Sequence, residues 1–406
     1  MRLSSSMFNG SVVTEMLRDQ SALALTQQQL STGKSVNTPA DNPAAAVQIL
    51  GLTNTNSQYQ QYITNGQSAN TRLTLQEQAL ADATTTMQSI RDLVVQANSG
   101  TNNASDNKAI ATQIQSLEGQ LQGIGNRQDA QGDYLFSGYA TSAQPFVRGS
   151  AGSMQYVGDS GARTIQLDAS TSVALGDPGS SIFMGVPTGN GVFTTAAGAS
   201  NTGAAIADTG SITNRSAWVP GQYTISFSDA SHWSVSDSSG KPVTDASGNP
   251  VQGTYDGKGG TVAFNGIQVG ISGAAAAGDT FSVSPSGRES VFDTLDRLVG
   301  ALNAPAGGAA ARAQLSTALG GALQQIDQVS SQISTVTSNV GARLSMISSM
   351  QTTLNARSTT VSSQISSLGD VDYVKATALY SQQYLALQAA QASFAQVGQL
   401  SLFKYL

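Results

Sequence analysis

The chain has 406 residues, enough for two or three domains, and only 11% of them are charged. Its net charge of −6, without any cluster of lysine and arginine, argues against a nucleic-acid-binding protein, because phosphates require a basic face. The absence of cysteine excludes disulfide scaffolds, thiol catalysis and thiolate metal sites.

The opening segment, residues 1–17, lacks the continuous apolar run of a cleaved signal peptide. No stretch of the chain approaches the apolar length of a membrane span. We therefore expect either a cytosolic protein or one exported by a route that uses no cleaved signal, and no membrane partner.

A weak helical pattern covers residues 12–30 and should end at Gly33. Two prolines follow, Pro39 and Pro43, and each favours extended geometry in the residue before it. The segment from Gly33 to Pro43 is therefore predicted to be a bent connector that separates a short terminal helix from a longer one.

The longer helix should start near Ala44, capped by Asp41 or Asn42, and run to about Ala97. Within it, residues at seven-residue spacing form a narrow stripe, which is typical of a coiled-coil seam. The stripe consists of Leu52, Tyr59, Gly66, Leu73, Leu80, Met87 and Val94.

A third helix is expected between Asp106, as its N-cap, and about Asn126. Its apolar residues recur at spacings of three and four, which predicts that one face packs against other helices. These residues are Ile110, Ile114, Leu117, Leu121 and Ile124.

Residues 139–287 differ from the helical segments in sequence pattern, because glycine is frequent and apolar residues alternate with polar ones. Short strands bounded by turns are predicted around Tyr223, Val262, Ile267 and Phe281. Residues 185–216 have few large apolar side chains and are expected to be a long surface loop.

Helical patterns resume over residues 288–302, break at 305–308, and continue in the longest stripe of the chain. A final helix with its own stripe begins near Tyr373, after Gly369. The long stripe consists of Leu319, Ile326, Ile333, Val340, Ile347, Leu354, Val361 and Leu368.

The two long stripes come from opposite ends of the sequence, and each needs a covering helix. The sequence therefore predicts a mainly α fold, in which long antiparallel coiled-coil-like helices flank an inserted all-β domain. The expected divisions are terminal helical assembly segments (1–43 and 369–406), a helical rod (44–138 and 288–368) and a β-rich outer domain (139–287).

No residue pattern predicts catalysis, a cofactor or a metal. Residues 32–35 resemble the end of a phosphate-binding loop, but Gln28 stands where its first glycine should be. The single histidine, His232, has no companion ligand, and the turns that follow Asp237, Asp245 and Asp256 lack the spacing of a calcium loop.

Several separated blocks nevertheless resemble the flagellin superfamily. Residues 30–50 look like the bend after its first helix, and residues 340–354 resemble the returning rod. Residues 385–406 are similar to its terminal helix. The opening of the chain and residues 134–138 are similar to the hook-associated branch of that superfamily.

The resemblance implies a structural protein of the bacterial flagellum, not an enzyme, located outside the cell at the hook–filament junction. The implied partners are hook-associated protein 1, flagellin, and further copies of the chain in a ring. Members of the family travel through the flagellar type III export channel with disordered termini, and an export chaperone holds the soluble form.

The resemblance also implies assembly-interface residues at both ends of the chain. Ser35 stands where relatives often carry arginine, so a charge contact is not expected from that position. The implied residues are Leu30, Gly33, Asn37, Pro39, Asp41 and Pro43 in the bend, and Leu379, Leu387, Ala390, Phe394, Leu400 and Leu402 in the terminal helix.

Two alternatives remain open from the residues. A flagellin-type filament subunit would share the terminal sequences but form long polymers. A surface adhesin would use the β domain, where aromatic rings could stack on sugars. The candidate rings are Tyr223, Trp233, Tyr255 and Phe264, which could equally form an ordinary β core.

Overall fold

A computed structural model describes residues 5–150, 152–305 and 307–399. They form two compact units, and we call residues 66–348 the central unit and the remainder at both chain ends the terminal unit. The helices are α1 (Ser5–Thr32), α2 (Pro43–Ala97), α3 (Ala104–Gly125), α4 (Val291–Asn303), α5 (Gly308–Gly369) and α6 (Tyr373–Gln399).

The prediction of long helices around a β domain is confirmed. The predicted division at residues 43, 138, 287 and 369 stays a prediction. No helix in the described parts of the chain combines the length and apolar character needed to cross a membrane.

In the central unit, α2 and α5 run antiparallel. Arg91 on α2 pairs with Asp327, its Nε 2.9 Å from Oδ1. Just beyond the end of α2, the Asn98 side chain accepts a hydrogen bond from the Ser316 hydroxyl, with 2.9 Å between Oδ1 and Oγ. The stripe residues of the two helices are buried, as the seven-residue spacing predicts: Leu73, Leu80, Met87 and Val94 of α2, with Leu319, Ile326, Ile333, Val340 and Ile347 of α5.

Helix α3 packs against α4, and its N-cap differs from the prediction. The cap is Asn103, whose Oδ1 accepts hydrogen bonds from the Ser105 and Asp106 amides at 2.7 and 3.0 Å. Asp106, predicted as the cap, instead completes the capping box by accepting from the Asn103 amide at 3.0 Å. Both asparagine and aspartate are common N-cap residues, so the sequence alone does not decide between Asn103 and Asp106, and the backbone geometry does.

Replacing Asn103 by alanine is expected to lower the free energy of unfolding by about 1 kcal/mol, because two amides of the first turn lose their acceptor. The matched control is Ser105→Ala, at an exposed position two residues away. Chemical denaturation of both variants checks this, and equal stability of the two would contradict the assigned cap.

Helix α4 begins at Val291, three residues later than Arg288, where the sequence predicts it. Ser290 caps it, its Oγ accepting from the Phe292 amide at 3.1 Å. Arg288 and Glu289 lie instead in a short strand that pairs with Val186 and Pro187. The helical pattern in the sequence therefore includes two residues, Arg288 and Glu289, whose main chain pairs with a strand.

Fifteen strands are present in the described β region. They are β1 (Phe146–Arg148), β2 (Met154–Tyr156), β3 (Thr164–Gln166), β4 (Ser172–Ala174), β5 (Val186–Pro187), β6 (Phe193–Ala197), β7 (Ile206–Ala207), β8 (Ser211–Ile212), β9 (Tyr223–Asp229), β10 (His232–Asp237), β11 (Gln252–Thr254), β12 (Gly259–Phe264), β13 (Ile267–Ser272), β14 (Thr280–Pro285) and β15 (Arg288–Glu289).

Two antiparallel sheets dominate this region. One has the strand order β11-β10-β9-β14-β6. The other has the order β12-β13-β7, with β8 also pairing β13. The strands predicted around Tyr223, Val262, Ile267 and Phe281 are confirmed.

The prediction of a long surface loop over residues 185–216 is wrong, because four strands, β5 to β8, lie there. β6 pairs with β14, and β7 with β13. These strands have two to five residues each and bury few large apolar side chains, chiefly Val186 in β5 and Phe193 in β6. Hydropathy patterns cannot detect such strands.

The aromatic residues considered as a sugar platform belong to the core between the sheets. Tyr223, Tyr255 and Phe264 are buried, and Trp233 packs against the same core. Tyr223 and Phe264 meet edge to face, with 5.2 Å between ring centroids. Their rings are therefore occupied by packing, which removes the observation that motivated the adhesin alternative.

Candidate assembly interface

The bend after α1 is fixed by a glycine in the left-handed region. Gly33 has φ +72°, and its amide donates to the Gln29 carbonyl at 2.9 Å, which closes the last turn. A Cβ on this glycine would stand 3.1 Å from the Tyr373 hydroxyl. Both the backbone angle and the close approach favour glycine here.

The chain segment after Gly33 is tied to the junction of α5 and α6. The Ser35 amide donates to the Gly369 carbonyl at 2.7 Å, and the Val371 amide donates to the Gly33 carbonyl at 2.9 Å. We call residues 33–35 and 369–371 the hinge bridge. It is a minimal antiparallel pairing of two segments from opposite ends of the sequence.

An ion pair crosses the hinge bridge. Lys34 Nζ lies 2.5 Å from Asp370 Oδ1, and both side chains are about half exposed. Ser35 contributes its hydroxyl to the Gly369 carbonyl at 3.2 Å rather than a charge. The charge contact of this bend is thus made by Lys34, one residue before the position the resemblance indicated.

The connector between Gly33 and α2 is held by its own side chains. The Asp41 carboxylate accepts hydrogen bonds from the amides of Asn37 and Thr38, at 2.9 and 2.7 Å. Asn42, not Asp41, caps α2, because its Oδ1 accepts from the Ala45 amide at 3.1 Å. The two residues left open as caps therefore have separate roles.

Helix α6 starts beside the hinge bridge and packs along α1. Asp372 caps it, its Oδ1 accepting from the amides of Val374 and Lys375, both at 3.1 Å. Thr26 is buried between the two helices, and its hydroxyl donates to the Gln383 Oε1 at 2.8 Å. The terminal helices are thereby paired with each other.

The terminal unit leaves many of its large apolar side chains uncovered. Ten of the fifteen exposed large apolar side chains among the described residues lie in the terminal unit. Val374 is 80% exposed, Val47 71% and Leu385 67%. A concentration of this kind is typical of a surface that another protein covers. The ten are Val13, Leu17, Leu25, Val47, Leu50, Tyr373, Val374, Leu379, Tyr384 and Leu385.

The structure gives ten of the twelve proposed interface residues a position, but shows no other subunit beside them. Gly33, Asn37 and Asp41 build the bend, and Pro43 is the first residue of α2. Of the others, Leu30, Leu387, Ala390 and Phe394 are half-buried, Leu379 and Pro39 are exposed, and Leu400 and Leu402 lie outside the described residues. Their contact with other subunits stays a prediction.

Sequence reasoning missed the role of Lys34 in the hinge bridge and the exposed side chains of Val47, Leu50 and Val374. Lys34 was noted only in the phosphate-loop comparison, and its ammonium group is used by Asp370. From Ser5 to Thr32 the preceding residues form helix α1, whereas a phosphate-binding loop follows a strand. The missed apolar residues lie outside the seven-residue stripes. Apolar residues at such positions could have indicated that these helices have a second apolar face.

The remaining candidates for chemistry form local structure. His232 is exposed, with Nδ1 2.9 Å from Asp229 Oδ2. Asp237, Asp245 and Asp256 each accept hydrogen bonds from amides of their own turns. Within the described ranges no group of three metal-ligating side chains comes together.

Three carboxyl groups of the bend have lowered pKa values. For Asp370 the main cause is the hydrogen bond from the Lys34 ammonium group. For Asp41 it is the Thr38 amide, and for Asp372 the Lys375 amide. Each of these bonds favours the ionised form.

Acidification is therefore expected to open the hinge bridge. A carboxyl whose pKa is lower in the folded state contributes stability above its ordinary value of 3.8, and loses it as the pH falls through the folded pKa. Protection of the Ser35 and Val371 amides should decrease below about pH 4. Hydrogen exchange, corrected for its intrinsic pH dependence, measures this.

The control for the acid experiment is Asp370→Asn. This variant lacks the charge that Lys34 binds, so protection should be weaker at neutral pH and should change less on acidification. Unchanged protection of the wild-type hinge bridge down to pH 2 would contradict the assignment.

Comparison with protein families matches both ends and the middle of the chain. Residues 4–141 match the bacterial flagellin N-terminal helical region, and residues 323–406 match the bacterial flagellin C-terminal helical region. Residues 196–285 match the D2-like domain of flagellar hook-associated protein 1. The flagellin-superfamily resemblance is thus confirmed at both termini.

The solved structure of flagellar hook-associated protein 3 from Legionella pneumophila is 32% identical, with a TM-score of 0.73 over 79% of this chain and 98% of that one. Flagellar hook-associated protein 3 of Salmonella typhimurium is 32% identical over 45% of this chain and 57% of the relative. That of Escherichia coli is 36% identical over 38% and 48%. The chain spans about half the length of these curated relatives. It belongs to the flagellar hook-associated protein 3 family, within the flagellin superfamily.

Proposed function

We propose that this chain is a structural adaptor that joins the flagellar hook to the flagellin filament. The observation that carries the proposal is the terminal unit, in which paired helices of flagellin type expose most of the uncovered large apolar side chains. The proposed partners are hook-associated protein 1 on the hook side, flagellin on the filament side, and neighbouring copies of the chain in a ring.

The proposed mechanism is interfacial. Full burial of one large apolar side chain contributes about 1.5–3 kcal/mol, so covering several of them supports stable attachment. Part of that free energy must offset the entropy lost when terminal segments become ordered. A terminal segment that folds only when the chain joins the flagellum would stay unfolded beforehand, as export through the type III channel requires.

The hinge bridge gives α1 and α6 a common base. Two main-chain hydrogen bonds and one ion pair hold the start of the connector beside the start of α6. Helices tied in this way would enter an interface as a pair, and a pull on either helix would be carried by both chain segments. We propose this as the mechanical role of the bend.

We further propose that the chain acts outside the cell after type III export without a cleaved signal, and that an export chaperone covers the exposed terminal helices beforehand. The family membership and the uncovered apolar side chains of Val374 and Leu385 support this. A surface of that kind in the cytosol would otherwise promote aggregation.

The test is electron microscopy of cells that lack this gene, together with an assay of flagellin in the medium. Hooks without filaments, and flagellin lost to the medium, are the expected result, with filaments restored by a plasmid copy. If filaments are absent and no flagellin is found in the cells or in the medium, the deleted gene encodes the filament subunit instead. Intact filaments on the deletion strain would contradict the proposed function.

A further inference from the structure

A cleft in the central unit is separate from the proposed assembly interface. Its volume is about 680 Å³, and it lies between strand β6 and the helices α4 and α5. Leu298 and Ala301 of α4 and Ala318 of α5 contribute to its walls. Cavities of this size bind ligands in many proteins.

One wall of the cleft is the free edge of a sheet. β6 is the last strand of the five-stranded sheet and pairs only with β14 within the described chain. Thr194, Thr195, Ala196 and Ala197 all line the cleft. Because successive side chains of a strand point to opposite faces, four consecutive residues can line one cavity only if it runs along the strand edge.

The register shows which main-chain groups are unused. The Gly198 amide donates to the Thr280 carbonyl at 2.8 Å, so alternate residues, Thr194 and Ala196, also bond towards β14. The amide and carbonyl groups of Thr195 and Ala197 therefore point away from β14, and none of them has a hydrogen-bond partner among the described residues.

At Phe193 the same edge is already closed. The side chain of Asn190 accepts from the Phe193 amide at 2.9 Å, and the Asn190 amide donates to the Phe193 carbonyl at 3.1 Å. The open stretch of β6 is thus limited to Thr195 and Ala197. It offers two donors and two acceptors, one of each per residue.

The opposite wall, α5, is joined through two glutamine side chains to the chain segments on either side of β6. Gln314 Nε2 donates to the Gly198 carbonyl at 3.3 Å, and Gln325 Oε1 accepts from the Gly189 amide at 3.1 Å. Between these two anchors, α5 presents Ala318 and Gly321 to the cleft. Small residues at the centre and long side chains at the ends leave room along β6.

We propose that the cleft binds one extended segment of a protein partner, which adds a strand beside β6. Main-chain hydrogen bonds to Thr195 and Ala197 would fix its register, as in other complexes formed by strand addition. Ala301, Ala318 and Gly321, which face β6 across the cleft, favour small side chains in the segment, such as Gly, Ala, Ser, Thr or Val.

The probe for this proposal is a fluorescently labelled library of heptapeptides built from Gly, Ala, Ser, Thr and Val, titrated against the full chain. The expected result is that some members bind and protect the Thr195 and Ala197 amides from hydrogen exchange. Versions of those members methylated at alternate backbone nitrogens should lose binding, because they cannot pair with a strand edge.

Two matched variants test the location. A Cβ at Gly321 or at Gly320 would meet no atom within 4 Å, and only Gly321 lines the cleft, so a leucine at position 321 is expected to extend into the cleft. Gly321→Leu should weaken binding by about tenfold or more, and Gly320→Leu by less than about twofold. Thermal unfolding checks that both variants remain folded.

Three results would overturn the proposal. These are the absence of binding by every member of the library, binding without protection of Thr195 and Ala197, and equal binding by the Gly321→Leu and Gly320→Leu variants. In the second and third cases the peptides would bind elsewhere on the chain.

Discussion

Replacing Val374 and Leu385 together by glutamine is expected to abolish filament attachment without unfolding the chain. Both side chains lie on α6 and are 80% and 67% exposed. They are separated by eleven residues, about three helical turns, so they share one face of the helix. The isolated chain therefore gains little from either side chain.

The size of the effect follows from burial in the assembled state. If neighbouring subunits cover both side chains, their loss removes about 3–6 kcal/mol from the contact, or at least a hundredfold in affinity. The free energy of unfolding of the isolated chain should change by no more than about 0.5 kcal/mol, as for other exposed positions. Circular dichroism and denaturation of the purified variant measure the second quantity.

Filament attachment is counted by electron microscopy in cells that lack the native gene and produce the variant. The matched control is Ser381→Gln with Ala392→Gln, also eleven residues apart and exposed on α6, where no large apolar side chain is removed. Each control position lies two turns beyond Val374 or Leu385, on the same face of α6. Normal filaments on the Val374 and Leu385 variant would contradict the proposed interface, and loss of filaments with the control would show that glutamine on this face is disruptive even where no large apolar side chain is removed.

The helices could be predicted from sequence because each is specified by contacts at one repeated spacing. The stripe from Leu319 to Leu354 is buried throughout, as expected from residues recurring every seven positions. The ends of the stripes, at Leu52 and Leu368, are only half-buried. A periodic pattern gives the position of a seam but not how completely it is covered.

The bend was located by sequence but not explained by it. Gly33 and the two prolines mark a change of direction, which single residues can indicate. The partner of Lys34 is Asp370, 336 residues away, and no local pattern contains that pairing. Similarly, β6 and β7 are specified by hydrogen bonds to β14 and β13, so their own side chains carry little signal.

Ion pairs inside the central unit were also beyond sequence reasoning, and one of them gives the largest expected effect on stability. Replacing Arg72 by alanine should lower the free energy of unfolding by about 3–5 kcal/mol. Arg72 pairs with Asp129, and its Nη2 donates to the Tyr134 carbonyl at 3.0 Å. The two charged side chains are only 11% and 9% exposed.

The large value arises from what remains after the substitution. Asp129 would keep its hydrogen bonds from the amides of Gln131 and Asp133, both at 3.0 Å, but lose its only cation in the described structure. Burial already lowers the pKa of Arg72, which shows that water stabilises these charges poorly at this position. An unpaired carboxylate there must remain desolvated or take up a proton.

The matched control is Arg91→Ala on the same helix. Arg91 Nε lies 2.9 Å from Asp327 Oδ1, but these side chains are 46% and 49% exposed. Water replaces the lost partner at such a site, so a loss of at most about 1 kcal/mol is expected. Adding Asp129→Asn to Arg72→Ala should recover part of the stability, because the unpaired charge is removed. Urea denaturation measures all three variants, and equal losses for Arg72→Ala and Arg91→Ala would show that burial does not determine the strength of these pairs.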